Sequence, residues 1–196
     1  LVNMPLSTGL ALIEISTLLE TINPDIVLTV ADRHETMATA IAASYMNIPL
    51  AHTQGGEVSG SIDESVRHAI TKLANIHFPS TKRAYKVLKA MGEDPASIHF
   101  VGCPAMDLLL KLPKIDSINI NSSGVGSEID LNKTFSLVVQ HPVTNEYEQC
   151  NNQIYETIKA ISLLVEKYNH QFIWLWPNID AGTDFISQSI RSFREN

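Results

Sequence analysis

Short apolar runs rich in β-branched residues alternate along the chain with stretches of helical spacing, and that alternation most narrows the folds open to it. Leu6, Leu10, Ile13, Leu18 and Ile22 lie among other apolar residues at roughly helical intervals, and Asn23-Pro24 stops the helix. Residues 26–30 follow as a nearly continuous apolar run, the pattern of a strand covered on both faces of a parallel sheet. The Ala-rich stretch 36–45 reads as a helix, and residues 48–51 open the next strand, completing a strand-helix-strand unit. A loop rich in Gly and polar groups, 53–61, leads into a helix over 62–74. Residues 76–79 form a third strand, Ser80 or Thr81 caps a helix that runs to Met91 and ends at Gly92, and 98–101 form a fourth strand. The expectation is a doubly wound α/β sheet with ligands beyond the carboxyl ends of its strands.

From 112 to 133 the pattern weakens into Pro, Asn, Ser and Gly, the composition of a linker or a surface excursion. A new unit then begins: a strand over 135–139, a loop over 140–145, a long helix through Tyr168, a strand over 172–176, a loop over 177–182 and a last helix. Two strands with their helices do not close a core alone, so the chain is expected to stop inside its second domain.

With 196 residues, 44% hydrophobic and 18% charged, the composition is that of an ordinary folded protein. A net charge of -7 argues against a nucleic-acid surface, because duplex binding draws on clustered Lys and Arg. Cys103 and Cys150 are far apart and lack CxxC spacing, so neither a disulfide framework nor a zinc site is expected. His68, His77 and His141 have no HxxxH or HxH spacing, and no metal or other cofactor is expected. No apolar run approaches the roughly 20 residues that span a bilayer, and no charged-then-apolar stretch resembles a signal peptide, so no membrane partner is expected and the cytoplasm is the default location.

The residues that can carry chemistry gather at two strand ends. Asp32 stands just past the first strand with Arg33 beside it, where a cation can hold a phosphate; helix capping is the alternative for Asp32. His52, Gln54, Glu57, Asp63, Glu64, Arg67 and His68 crowd the end of the second strand, its loop and the following helix. Asp63 and Arg67, four apart, share a helix face and could form a simple surface ion pair. Glu57 lies in a loop whose Gly55, Gly56 and Gly60 would let backbone approach a ligand. His52 could equally be a satisfied core histidine. Trp174 and Trp176 share one face of a strand, which points to core packing.

Four segments together resemble the hydrolysing UDP-N-acetylglucosamine 2-epimerases of the sialic-acid and legionaminic-acid type. They are Val30-Ala31-Asp32-Arg33, the run 52–72 (HTQGGEVSGSIDESVRHAITK), Gln140-His141-Pro142-Val143-Thr144 and Pro177-Asn178-Ile179-Asp180-Ala181-Gly182. The resemblance spans nearly the whole chain and implies an interior fragment of two Rossmann-like domains of the glycosyltransferase-B type. Residues 1–115 would be the C-terminal part of the first domain, 116–133 a linker or excursion, and 134–196 the first part of a second, UDP-binding domain. A UDP-sugar is the implied partner, and a homo-oligomer, dimer or tetramer, is expected.

The reaction so implied removes the proton at C2 and UDP from C1 of UDP-N-acetylglucosamine or a UDP-diacetamido-trideoxyhexose, leaving a glycal. Water then gives the free 2-epimer. Such chemistry needs carboxylates near cations. By resemblance Asp32, Glu57 and Asp63 are the acid/base candidates. Arg67 and His141 fall near sugar and diphosphate, and Arg33, His52, Gln54, Ser59, Asn178 and Asp180 are further candidates for substrate contacts. Two departures stand out. Gln54 replaces a Glu of sialic-acid-type members, and an amide does not transfer protons at neutral pH. Val30-Ala31 replaces a His-Gly before the Asp-Arg pair. A non-hydrolysing epimerase, a glycosyltransferase and a non-catalytic nucleotide-sugar-binding protein are the competing expectations.

Overall fold

A computed structural model describes residues 3–113, 117–178 and 182–195, which fall into two compact units, Leu1–Lys111 and Leu112–Asn196. In the first, α1 (Asn3–Ile22), β1 (Val27–Val30), α2 (His34–Tyr45), β2 (Leu50–Thr53), α3 (Ile62–Leu73), β3 (Ile76–Phe78), α4 (Lys82–Ala90) and α5 (Pro104–Lys111) follow in order. The strands form a parallel sheet in the order β1-β2-β3, with Val27 opposite Leu50 and Ala51 opposite Ile76. The core forms where α1 and α2 pack beside the sheet. Ala38, Ala40, Ala42 and Ala43 of α2 are buried, and side chains that stop at Cβ let its neighbours approach closely. Leu19 of α1 joins Val27, Leu50 and Ile70 in that core. Full burial of a side chain such as Leu50 or Ile70 stabilises the unit by about 2 kcal/mol. Thr81 caps α4 by accepting from the Ala84 N–H at 3.0 Å.

Three expectations need correction. Strand β1 is covered on one face only: Val27 and Thr29 are buried, while Ile26, Leu28 and Val30 are exposed. Residues 98–101 do not form a strand. Only Ile98 bridges His77, and Phe100 and Val101 beyond it turn to solvent. The stretch Met4–Ile22 is, by length and composition, long and apolar enough to cross a membrane. Hydroxyls hide that character in the sequence: Thr8, Ser16, Thr17 and Thr21 each donate to the carbonyl four residues back. In the structure α1 lies along α2, using Leu12, Ile15 and Leu19 for the core. Leu6, Leu10, Ile13, Leu18 and Ile22 form its exposed side.

The second unit contains α6 (Ser117–Ser123), β4 (Phe135–Val139), α7 (Cys150–Tyr168), β5 (Gln171–Leu175) and α8 (Thr183–Glu195). Strands β4 and β5 pair in parallel from Phe135 opposite Gln171 to Val139 opposite Leu175. Ile129, Cys150, Ile154, Ile161 and Ile186 are among its buried apolar residues. The stretch read as a linker is tied in by two amide clamps. The Asn121 side chain accepts from Ile129 N–H at 2.9 Å and donates to the Ile129 carbonyl at 3.2 Å. Gln171 does the same for Asp130 at 2.8 and 3.0 Å. Helix α7 stops at Asn169: its N–H completes the last helical bond, to the Val165 carbonyl, and its left-handed φ of 50° then turns the chain out of the helix. Trp176 departs from the expected core role. It lies just past β5, half exposed, with the Arg191 guanidinium 5.2 Å from its ring centre.

Candidate functional site

Both crossovers of the first unit leave their strands through a left-handed residue that is not glycine, Ala31 after β1 (φ 59°) and Gln54 after β2 (φ 60°). Such turns cost about 1 kcal/mol each and concentrate at functional sites. Asp32 follows the first of them. It does not cap α2: Arg33 holds the N-cap position, without a side-chain cap bond, and its guanidinium reaches Glu35 at 3.2 Å. Asp32 instead forms an ion pair with Arg67 of α3, from Nη2 to Oδ2.

Arg67 is 7% exposed, and its Nη1 donates to the Glu57 carbonyl at 2.7 Å. One guanidinium therefore joins the Asp32 turn, the glycine-rich loop and α3. The simple helix-face pair with Asp63 gives way to this longer-range contact. Asp63, one turn earlier on the same face as Arg67, accepts from the Ser61 hydroxyl at 3.1 Å. Asp32, the Glu57 backbone and Arg67 are thus brought together, with Asp63 on the adjoining turn.

The loop itself is fastened by the protein. Gly55 and Gly56 are buried; a Cβ on Gly56 (φ 83°) would lie 2.5 Å from the Ala84 carbonyl oxygen of α4. These two glycines serve protein packing rather than approach to a ligand. Around Gly60 there is open space. Glu64 clips the tip, its Oε2 accepting from the N–H groups of Ser59 at 2.8 Å and Gly60 at 2.7 Å. The Gly60 and Ser59 amides hold the Glu64 carboxyl below the usual carboxylate range. Gln54 turns toward Cys103, with Nε2 3.9 Å from Sγ. His52 is fully buried with both ring nitrogens occupied by Ala31 and Thr71, which gives it the core role rather than a surface for ligand. Burial pushes its pKa down to about 4.

Two contributions escape the sequence reading, the Glu64 clip and the Thr71 hydroxyl. Glu64 had a signal. Ser61 and Glu64 have the S-x-x-E spacing of a capping box, with the carboxylate displaced here onto Ser59 and Gly60. Thr71, inside a helix, had none.

In the second unit the loops after β4 and β5 meet where the Asn178 N–H donates to His141 Nδ1 at 3.2 Å. Thr183 Oγ1 donates to the Asn178 carbonyl at 2.6 Å. His141 and Asn178 are both exposed, and Asp180 lies outside the described residues.

Residues 2–196 match the family described as UDP-N-acetylglucosamine 2-epimerase. The chain belongs to that family. It is 36% identical over 97% of its length to a hydrolysing UDP-N,N'-diacetylbacillosamine 2-epimerase of Legionella pneumophila, covering 49% of that protein. It is 37% identical over 86% of its length to polysialic acid biosynthesis protein P7 of Escherichia coli, covering 42%. The crystal structure of the Neisseria meningitidis UDP-GlcNAc 2-epimerase bound to UDP-GlcNAc shares the fold, with a TM-score of 0.78 at 21% identity over 96% of this chain and 51% of that one. The chain spans about half the length of the curated relatives it matches. In this member of the epimerase family, the Asp32 carboxylate stands beside the Arg67 guanidinium just past the carboxyl end of β1, with Asp63 one helical turn from Arg67. That donor set can move protons and stabilise a leaving anion.

Proposed function

We propose that the full-length protein is a hydrolysing 2-epimerase that converts UDP-N-acetylglucosamine, or a UDP-diacetamido-trideoxyhexose, into the free 2-epimeric sugar and UDP. The observation that carries this reading is the junction at Arg67, which holds the Asp32 carboxylate and the Glu57 backbone on the face of α3 that also bears Asp63. The likeness to the hydrolysing UDP-N,N'-diacetylbacillosamine 2-epimerase of Legionella pneumophila supports the hydrolysing form.

In the proposed reaction a carboxylate takes the C2 proton. The C–H electron pair forms the C1–C2 double bond, and the C1–O bond breaks to release UDP. Water then adds its oxygen to C1, and C2 receives a proton on the opposite face. Gln54, an amide, transfers no proton, so Asp32, Glu57 and Asp63 share the acid/base work. Arg33 and Ser59 contact the sugar in this reading. His141, Asn178 and Asp180 serve the UDP half, on a second glycosyltransferase-B-type domain. The enzyme would work in the cytoplasm as a homo-oligomer.

The test is to incubate the full-length protein with each UDP-sugar and identify both products by proton NMR. Equimolar UDP and free 2-epimer is the expected result. A UDP-linked epimer would make it a non-hydrolysing enzyme, an acceptor-dependent product a glycosyltransferase, and binding without turnover a nucleotide-sugar-binding protein.

A further inference from the structure

The Asp32 turn and the glycine-rich loop rest on the same buried side chain. His52 of β2 has Nε2 2.8 Å from the Ala31 carbonyl oxygen and Nδ1 3.2 Å from Thr71 Oγ1. A carbonyl oxygen only accepts, so Nε2 carries the proton. In the neutral ring Nδ1 is then an acceptor, and the Thr71 hydroxyl donates to it. Burial keeps the ring neutral. The Ala31 carbonyl and Asp32 work against that depression, and His77 and Arg67 add to it.

The two contacts reach different parts of the site. Ala31 holds the left-handed φ of 59° immediately before Asp32, and its carbonyl is the group that His52 grips. On the other side, a Cβ on Gly55 would lie 2.9 Å from Thr71 Oγ1 and 3.1 Å from His52 Nδ1, so the loop sits directly on the His52–Thr71 pair.

We infer that His52 is a positioning residue: through Nε2–H it holds the turn that delivers Asp32 to Arg67, and through Nδ1 and Thr71 it seats Gly55 against α3. This role rests on the proposed acid/base reading for its kinetic consequence and on geometry alone for the rest. It assigns His52 no contact with substrate.

Two substitutions separate the halves of the role. A Gln amide reaches where Nε2 stands and can still donate to Ala31, whereas an Asn amide reaches only where Nδ1 stands. In the full-length protein, His52→Asn should lower kcat about 100-fold with KM within about twofold, and His52→Gln should recover to within about tenfold of wild type. Equal loss in both variants, tracking their unfolding midpoints, would overturn the assignment, as would a rise in KM without loss of kcat. Nitrogen-15 NMR of the same protein gives a readout independent of turnover. The His52 ring should show the Nε2–H tautomer unchanged from pH 5.5 to 8, and the Ala31 and Asp32 amide shifts should move in His52→Asn and stay in His52→Gln. An Nδ1–H tautomer, or a ring that titrates in that range, would sink the inference. A protein without any turnover would remove the proposed function while leaving the NMR result to decide the role of His52. Thr71→Val, which removes the donor to Nδ1 with little change of shape, should leave the tautomer intact and shift the Gly55 amide; an unmoved Gly55 would count against the second contact.

Discussion

In the first unit the loop after β2 is fastened from below by His52 and Thr71, at its base by Arg67 and at its tip by Glu64. In the second, the loops after β4 and β5 meet at the surface, where the Asn178 backbone donates to an exposed His141. Both sets of loops leave parallel strands of the same kind, so the difference lies in what stands behind them. The first unit spends buried polar groups, and left-handed Ala31 and Gln54, on one fixed geometry. In the proposed function the first unit carries the groups that move protons, and proton transfer needs its groups held in place beforehand.

The strongest way to break this contrast is Arg67→Met. It removes the partner of Asp32 and the donor to Glu57, and breaking a buried pair should cost about 3 kcal/mol in urea unfolding of the full-length protein. Arg67→Lys should recover only part of that, because one ammonium does not reproduce the two-sided guanidinium. Stability within experimental error of wild type would mean that the Asp32 pair is a surface contact after all.

Next comes a comparison inside the loop. Gly56→Ala drives a Cβ to 2.5 Å from the Ala84 carbonyl oxygen at φ 83°, and should cost about 3 kcal/mol. Gly60→Ala meets open space at φ 76°, and should cost about 1 kcal/mol from backbone strain alone. Equal costs would show that the loop does not pack against α4.

A smaller effect separates the loop tip by pH. The Glu64 pKa is depressed below its ordinary 4.5, so its clip is fully present above that value and is lost as pH falls through the lower folded value. Hydrogen exchange at the Ser59 and Gly60 amides should quicken, beyond the intrinsic rate, across that acid window in the wild type. Glu64→Gln should show no such step. The smallest change is expected in the second unit: His141→Ala removes an exposed hydrogen bond and should alter stability by about 0.5 kcal/mol or less.

Much of this was legible because local pattern decides it. Strand β4 lies at the expected residues 135–139, β5 is displaced by one residue, and Thr81 caps α4 as its type and position imply. The bare face of β1 was not legible, since a continuous apolar run looks the same whether one or both faces are covered. Helix α5 begins at Pro104, a residue suited to a first turn, but its leucines are exposed and give no amphipathic pattern to follow. At the site, the residue types at Asp32, Asp63 and Arg67 could be read, while the pairing of Asp32 with Arg67 across 35 positions could not. Helical spacing offers Asp63 as the partner; only the parallel packing of β1 beside β2 and α3 brings Asp32 to Arg67 instead.

Asp63→Asn is the sharpest probe of proton transfer at α3, because that carboxylate accepts from the Ser61 hydroxyl, which an amide oxygen can also satisfy, and the fold should survive the change. Assayed in the full-length protein on the UDP-sugar it turns over, the variant should keep the wild-type urea midpoint and release UDP and free sugar about a thousandfold more slowly. Release within about twofold of wild type would contradict the assignment of proton transfer to this face of α3.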